Sequence, residues 1–113
     1  MKRAALWLTV FVLYVAPAYA AVFTGSGTVY TLRSRESTLG PDTDWFSLVG
    51  VTSLGSCPTA DAGYVVLMLR DDAKGQRMFA LVLAAKAAGT TLTVRADDTV
   101  KTSAGYCYAQ AVF

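Results

Sequence analysis

The 113-residue sequence contains no histidine. Without histidine a protein cannot build a Ser-His-Asp or Cys-His catalytic site, nor the usual ligand sets of zinc hydrolases. Serines are present, but no activating base is visible beside any of them. These absences predict that the protein is not an enzyme and that it holds no metal ion or other cofactor.

Cysteine is also scarce, with residues only at Cys57 and Cys107. In an exported chain an even cysteine count predicts a disulfide, and here only one pairing can form. The bond would close a loop of about 50 residues, for which the loop-entropy model gives about 4 kcal/mol of stabilisation. A redox pair or metal site is the alternative, but there is no Cys-x-x-Cys motif to support it.

Residues 1–20 have the three parts of a secretory signal peptide. Lys2-Arg3 is a basic start, residues 4–16 are mainly apolar, and Ala18-Tyr19-Ala20 is an Ala-x-Ala cleavage site. The apolar stretch is shorter than the roughly 20 residues of a membrane-spanning helix. The sequence therefore predicts export and cleavage after residue 20, which leaves residues 21–113 as a single periplasmic or secreted domain.

Charge is low and nearly balanced, with ten basic and eight acidic residues. Loss of Lys2 and Arg3 with the signal peptide leaves eight of each sign, and so no net charge. Nucleic-acid binding depends on an excess of cations, and anchoring to a membrane surface needs a polybasic segment. We therefore expect no nucleic-acid partner and no membrane span in the mature protein.

The first part of the mature chain predicts three strands. Gly25-Ser26-Gly27 is interpreted as a flexible opening, followed by strand-favouring residues from Thr28 to Arg35. The turn sequence Gly40-Pro41-Asp42 separates these from a second strand, from Trp45 to Leu54. The continuous apolar run from Tyr64 to Leu69 suits a strand that is buried on both faces.

Between Gln76 and Ala88 the apolar pattern takes on a helical period, so we predict a helix. Asp71-Asp72 can cap its start, and Gly89 stands where a C-terminal cap glycine belongs. The rest of the helix surface is also largely apolar, which predicts contact with a neighbouring subunit; the alternative is that alanine is simply a good exposed helix former. The predicted core face holds Met78, Leu81, Val82 and Ala85, and the predicted subunit interface holds Phe79 and Leu83.

Two more strands follow the helix. Leu92, Val94 and Ala96 share one face of the first, and the second runs from Tyr106 to Phe113. The predicted order is β-β-β-α-β-β, a mainly β protein. Five strands in a barrel with one helix between the third and fourth is the OB-fold arrangement, and an open five-stranded α+β sheet is the alternative. In the last strand, Cys107, Ala109, Ala111 and Phe113 are predicted to share one face, with Tyr106, Tyr108, Gln110 and Val112 opposite.

Two stretches resemble the B subunits of bacterial five-fold (AB5) toxins, nearest the subtilase-cytotoxin-type B subunits and their uncharacterised secreted relatives. Residues 79–94 are similar to the family's helix, glycine and following strand, and Gly25-Ser26-Gly27-Thr28-Val29 is similar to the Ser-Gly-x-Val of its first strand. The resemblance implies a homopentamer that binds cell-surface glycans, with Ser26 contacting the sugar. It implies nothing about an A-type or other protein partner.

A polar cluster next to a tryptophan is the candidate ligand site. Arg35 and Glu36 belong to a polar cluster, residues 33–37, at the end of the first strand, and Asp44 and Trp45 begin the second. An aromatic face with fixed donors and acceptors is a common way to hold a sugar. Together with Ser26, these are the predicted glycan-binding residues; the alternative is a solvated loop and a tryptophan packed on the barrel end.

Three tyrosines and two acidic pairs have structural interpretations. We interpret Tyr64, Tyr106 and Tyr108 as packing residues rather than as a platform for stacking nucleobases. Asp71-Asp72 and Asp97-Asp98 are interpreted as capping and turn residues rather than as glycosidase or calcium-binding carboxylates. The function predicted is a binding module, a glycan-binding homopentamer like the toxin B subunits. The alternative is a monomeric inhibitor or accessory protein that binds another protein.

Overall fold

The computed structural model describes residues 21–34, 44–60 and 62–113. The predicted signal peptide at residues 1–20, the candidate residues Arg35 and Glu36, and the predicted turn at residues 40–42 lie outside the described residues. The elements within those ranges are β1 (Val22–Arg33), β2 (Asp44–Leu48), β3 (Thr59–Ala60), β4 (Tyr64–Val65), β5 (Leu67–Leu69), α1 (Ala73–Ala88), β6 (Thr91–Lys101) and β7 (Cys107–Val112).

Five of these strands form a closed barrel in the order β1-β2-β5-β7-β6. Neighbouring strands are antiparallel except β5 and β7, which run parallel with Leu67 opposite Cys107. The helix connects the third barrel strand, β5, to the fourth, β6, while β3 and β4 form a separate two-stranded sheet. The predicted OB-fold-like barrel is therefore confirmed, and the open sheet is excluded.

The long strand β1 pairs with two neighbouring strands. Residues 22–28 pair with β6, and residues 29–33 pair with β2. Gly25 and Gly27 lie inside this strand, so the predicted flexible opening is wrong. Glycine is needed there for space, because a Cβ on Gly25 would lie 2.9 Å from a methyl group of Val51. The second predicted strand ends early, at Leu48, because Gly50 turns the chain with a φ of 81°.

The core fills the barrel and the space between the barrel and α1. Phe46, Leu48, Leu67, Val82 and Val94 are completely buried in it. Removing this apolar surface from water provides the main stabilisation, about 1.5–3 kcal/mol for each fully buried large side chain. The helix contributes Met78, Val82 and Ala85 to this core.

The ends of α1 are capped as the sequence predicts. The Asp72 carboxylate accepts a hydrogen bond of 2.7 Å from the backbone N–H of Gly75, and Gly89 closes the helix in the left-handed conformation with a φ of 66°. In the described part of the chain, no helix is long and apolar enough to cross a membrane.

The buried face of α1 is narrower than predicted. Gly75, Met78, Val82 and Ala85 are buried, whereas Leu81 is 51% exposed, so its assignment to the core is wrong. Leu83 is also 51% exposed, and Phe79 is partly buried against the core. The outer surface of α1 therefore carries Leu81 and Leu83.

The alternation of β7 is interrupted at Gln110. Ala109 lies opposite Ala96 and Ala111 lies opposite Arg95, so Gln110 is an extra residue, a β-bulge. Beyond it Val112 is buried and Phe113 is 64% exposed. The prediction that Phe113 shares the inner face with Cys107 is therefore wrong, because the bulge exchanges the two faces.

Cys57 and Cys107 form the predicted disulfide, with Cα atoms 5.5 Å apart. Both cysteines are buried. The bond joins the loop before β3 to the first residue of β7, which pairs with β5 at that point. It therefore fixes the connecting loop to the parallel strand pair that closes the barrel.

Candidate functional site

A row of four side chains crosses the outer surface of four adjacent strands. Arg33 of β1 lies opposite Trp45 of β2, Trp45 lies opposite Met68 of β5, and Met68 lies opposite Tyr108 of β7. Side chains alternate along a strand, and the residues next to this row point into the barrel. These buried neighbours are Phe46, Leu67, Leu69 and Cys107. We call Arg33, Trp45, Met68 and Tyr108 the outer row.

The outer row is accessible to a ligand. Trp45, Met68 and Tyr108 are only partly buried, and Arg33 is exposed. Two aromatic rings and a thioether thus form one apolar strip across neighbouring strands. The residues of such a strip are far apart in the sequence, because each comes from a different strand.

Arginine side chains lie over both aromatic rings. The guanidinium carbon of Arg33 is 5.6 Å from the centroid of the Trp45 ring, and that of Arg70 is 4.0 Å from the centroid of the Tyr108 ring. At exposed sites such cation–π contacts contribute about 0.5–1 kcal/mol. They hold two long side chains in place, so each end of the outer row carries positioned hydrogen-bond donors.

A hydroxyl–carboxylate pair lies beside the Trp45 end of the row. The Ser34 hydroxyl donates a hydrogen bond of 2.7 Å to Asp44 Oδ1. Asp44 directly precedes Trp45, and Ser34 directly follows Arg33. The structure thus brings together two of the predicted glycan-binding residues, Asp44 and Trp45, and adds Arg33 and Ser34 to them.

Ser26 lies elsewhere on the barrel. It is on the part of β1 that pairs with β6, and its hydroxyl is 2.8 Å from the hydroxyl of Thr93. Ser26 and Arg33 are seven residues apart on one strand, a distance of about 23 Å at the usual rise per residue. Ser26 is exposed but does not belong to the outer row.

A cleft of about 250 Å³ opens at the Tyr108 end of the outer row. Arg70 and Tyr108 border both the row and the cleft. The other walls come from the start of α1, from a bend in β6 and from the bulge in β7. Their residues are Asp72, Lys74, Met78, Asp97, Val100, Ala109 and Gln110.

The bend in β6 places Asp97 in this cleft. β6 pairs with β7 at Ala96 and again at Lys101, so four β6 residues span the place of one β7 residue, Tyr108. The Asp97 carboxylate stabilises the bend, because Oδ1 accepts hydrogen bonds from the Thr99 backbone N–H at 2.9 Å and from its hydroxyl at 2.6 Å. The carboxylate thus stabilises the local backbone, but Asp97 lies within β6 rather than in the predicted turn, and it also lines the cleft.

Sequence reasoning missed four residues of the site. Met68, Arg70 and Gln110 have no predicted role in a site, and Tyr108 is predicted to be a packing residue, whereas the structure places all four at the row or the cleft. Their proximity to Trp45 follows from the order of strands in the barrel rather than from any local pattern.

The chain matches no protein-family model, and no curated protein or solved structure is significantly similar to it. The resemblance to toxin B subunits therefore stays a prediction.

Proposed function

We propose that the protein is an exported binding module whose outer row holds a glycan. The observation that carries this proposal is the alignment of Trp45, Met68 and Tyr108 on the outside of three neighbouring strands. Ligand sites combine an apolar surface with a few fixed polar groups. The row supplies the apolar surface, and Arg33, Asp44 and Arg70 supply the polar groups.

The place of the row in the barrel supports a polymeric ligand. In OB-fold barrels the face made by the second and third strands binds oligonucleotides or oligosaccharides. Here those strands are β2 and β5, which carry Trp45 and Met68. A mature chain without net charge lacks the cationic excess that nucleic acid requires. An oligosaccharide is therefore the proposed ligand.

Export is part of the same proposal. A disulfide that persists in the native protein suits an oxidising compartment, and Cys57 and Cys107 are bonded. This agrees with the signal peptide that the sequence predicts at residues 1–20.

Association through the outer surface of α1 completes the proposal. Leu81 and Leu83 are each 51% exposed on a helix whose remaining outer surface is mostly alanine. A homopentamer, as in the toxin B subunits, would cover these side chains. The alternative is a monomeric inhibitor or accessory protein, in which the same surface would contact a different protein.

The test of glycan binding is the Trp45→Ala variant. The mature, oxidised protein is screened on a glycan array, and the affinity for the best ligand is then measured by calorimetry. We expect the variant to bind at least about tenfold more weakly, since burying an aromatic ring against a ligand is worth more than about 1.4 kcal/mol.

Tyr30→Ala is the matched control. Tyr30 is an exposed aromatic residue of β1, and its ring contacts Tyr64 with 5.0 Å between the centroids, outside the outer row. Its loss should leave the affinity unchanged. An array without any bound glycan, or equal binding by the Trp45→Ala variant, would overturn the proposal.

A further inference from the structure

One oxygen of the Asp97 carboxylate has no hydrogen-bond partner among the described residues. Both hydrogen bonds from Thr99 go to Oδ1, and within the described ranges Asp97 makes no ion pair with Arg70 or Lys74. The side chain is only 7% exposed, yet the residue lines the cleft. Oδ2 can nevertheless be reached, because Ser47 Oγ is the only fully enclosed side-chain polar atom without a hydrogen-bond partner in the described ranges. A ligand hydroxyl can therefore donate to Oδ2.

The charges around the cleft are balanced. Arg70 and Lys74 are its cations, and Asp72 and Asp97 are its carboxylates. Asp72 is already engaged in capping α1 through the Gly75 N–H. A ligand with net charge would be repelled by the lining residues of like charge. A neutral ligand with several hydroxyl groups can instead hydrogen-bond to both the cations and the carboxylates.

The size of the cleft suits one ring. Its volume of about 250 Å³ is below the about 300–1,000 Å³ typical of sites for drug-sized ligands. An oligosaccharide cannot enter it whole, but a single pyranose unit can. The cleft lies directly at the end of the outer row, so a glycan on the row can place its last unit there.

The bulge in β7 adds an amide to the lining of the cleft. Gln110 is the extra residue of this bulge and is exposed at the cleft. An amide offers both a donor and an acceptor, and a carboxylate offers an acceptor, which matches two adjacent sugar hydroxyls. Arg70, held over the Tyr108 ring at 4.0 Å, supplies further donors.

We propose that this cleft binds the terminal, neutral pyranose unit of the glycan, and that Asp97 Oδ2 accepts its hydroxyl hydrogens. The inference rests on the proposed function, since the outer row holds the remainder of the chain. It adds the position of the terminal unit and its lack of charge, neither of which the outer row determines.

The first experiment titrates methyl pyranosides into the isotope-labelled, oxidised protein and follows backbone amide shifts by NMR. The neutral probes are the methyl glucoside, galactoside and mannoside, and the charged probes are glucuronate and glucosamine. We expect at least one neutral probe to give saturable shifts at Asp97 and Gln110 and to bind more tightly than both charged probes. A charged probe that binds most tightly, or neutral probes that leave both amides unshifted, would contradict the cleft site.

The second experiment uses Asp97→Asn, which retains an oxygen for Thr99 and removes the charged acceptor from the cleft. We expect the affinity for the neutral pyranoside to fall at least about tenfold, the usual effect of losing a charged hydrogen-bond acceptor. Thr99→Val is the control, because it removes one bond to Oδ1 and leaves Oδ2 in place. If Asp97→Asn does not fold, Gln110→Ala, at an exposed position, should weaken binding severalfold.

The two proposals fail in different ways. Oligosaccharide binding that requires Trp45 but is unaffected by both Asp97→Asn and Gln110→Ala would overturn the cleft site and leave the outer row. Absence of binding by every oligosaccharide and pyranoside would overturn both.

Discussion

Gly27 lies where two backbones come closer than any other residue would allow. The Val49 N–H donates a hydrogen bond of 2.8 Å to the carbonyl oxygen of Thr28, which draws the turn after β2 against β1. A Cβ on Gly27 would overlap the carbonyl oxygen of Val49. The Cβ position is fixed by the backbone of Gly27, and the oxygen belongs to the backbone of Val49. Neither can move aside without disturbing the pairing of β1 with β2. The glycine is therefore a packing requirement.

We expect Gly27→Ala to lower the free energy of unfolding by about 1–3 kcal/mol, the usual range for a forced overpacking. Chemical denaturation of the oxidised protein measures this. Ser26→Ala is the neighbouring control; its exposed hydroxyl makes one bond to Thr93, and its loss should change stability by about 0.5 kcal/mol or less. Equal effects of the two substitutions would show that the close approach to Val49 does not limit this position.

The sequence predicts the structural role of some residues but not of others. The Cys57–Cys107 bond is predictable because two cysteines allow only one pairing, and the bond is present. The role of Gly27 is not predictable, because it depends on a turn more than twenty positions later in the chain. Local sequence shows that a glycine is present but not which backbone it must accommodate.

At the scale of the elements, the first turn of α1 fixes where the helix begins and how it packs on the barrel. Asp72 caps the helix through the Gly75 N–H, and Gly75 is buried so tightly that any Cβ would overlap the carbonyl oxygen of Arg70. The start of α1 therefore packs directly against the backbone at the end of β5. The helix therefore begins at Ala73, before the predicted start at Gln76, although glycine is a poor helix former.

We expect Asp72→Ala to lower the free energy of unfolding by about 1 kcal/mol, because the Gly75 N–H loses its acceptor. Asp72→Asn retains an oxygen at the same place and should remain within a few tenths of a kcal/mol of the native protein. Thermal melts followed by circular dichroism compare the three proteins. Equal losses in both variants would mean that the charge of Asp72, rather than its capping bond, stabilises the helix.

The errors at the element scale have one physical origin, which is tertiary contact. Leu81 has the correct helical spacing for the core, but the barrel covers only a narrow face of α1 and leaves it outside. Phe113 has the correct alternation for the inner face of β7, but the bulge at Gln110 reverses it. The position of a bulge is set by the register with β6, which the sequence of β7 does not contain.

For the whole molecule, the number and order of barrel strands follow from the sequence, whereas the site does not. Antiparallel pairing joins Arg33, Trp45 and Met68, and Tyr108 is added to them only because β5 pairs in parallel with β7 in the closed barrel. Composition could place Asp44 and Trp45 among the candidates, since tryptophan and carboxylate suit a sugar. It could not place Tyr108 beside them, because more than sixty residues separate Tyr108 from Trp45.

Self-association depends on which apolar side chains remain exposed on the surface of the folded subunit. The buried face of α1 is already occupied by the barrel, and Phe79 packs partly against the core. On α1, the large apolar side chains left for a second subunit are Leu81 and Leu83, both 51% exposed. Phe79→Asp should therefore reduce stability, because it puts a charge next to the core. An exposed leucine can be replaced by aspartate with little effect on the fold of a single subunit.

We expect the mature, oxidised protein to have the mass of a pentamer by light scattering, and Leu81→Asp with Leu83→Asp to reduce it to a folded single chain. Charges buried at a subunit contact without partners are strongly destabilising, whereas the same charges in water cost little. Arg95→Glu, a charge change at an exposed position of β6 and not on the helix, is the control and should leave the pentamer intact. An assembled double variant would place the contact elsewhere on the barrel. A single-chain mass for the native protein would instead favour the monomeric alternative, in which Leu81 and Leu83 contact a different protein.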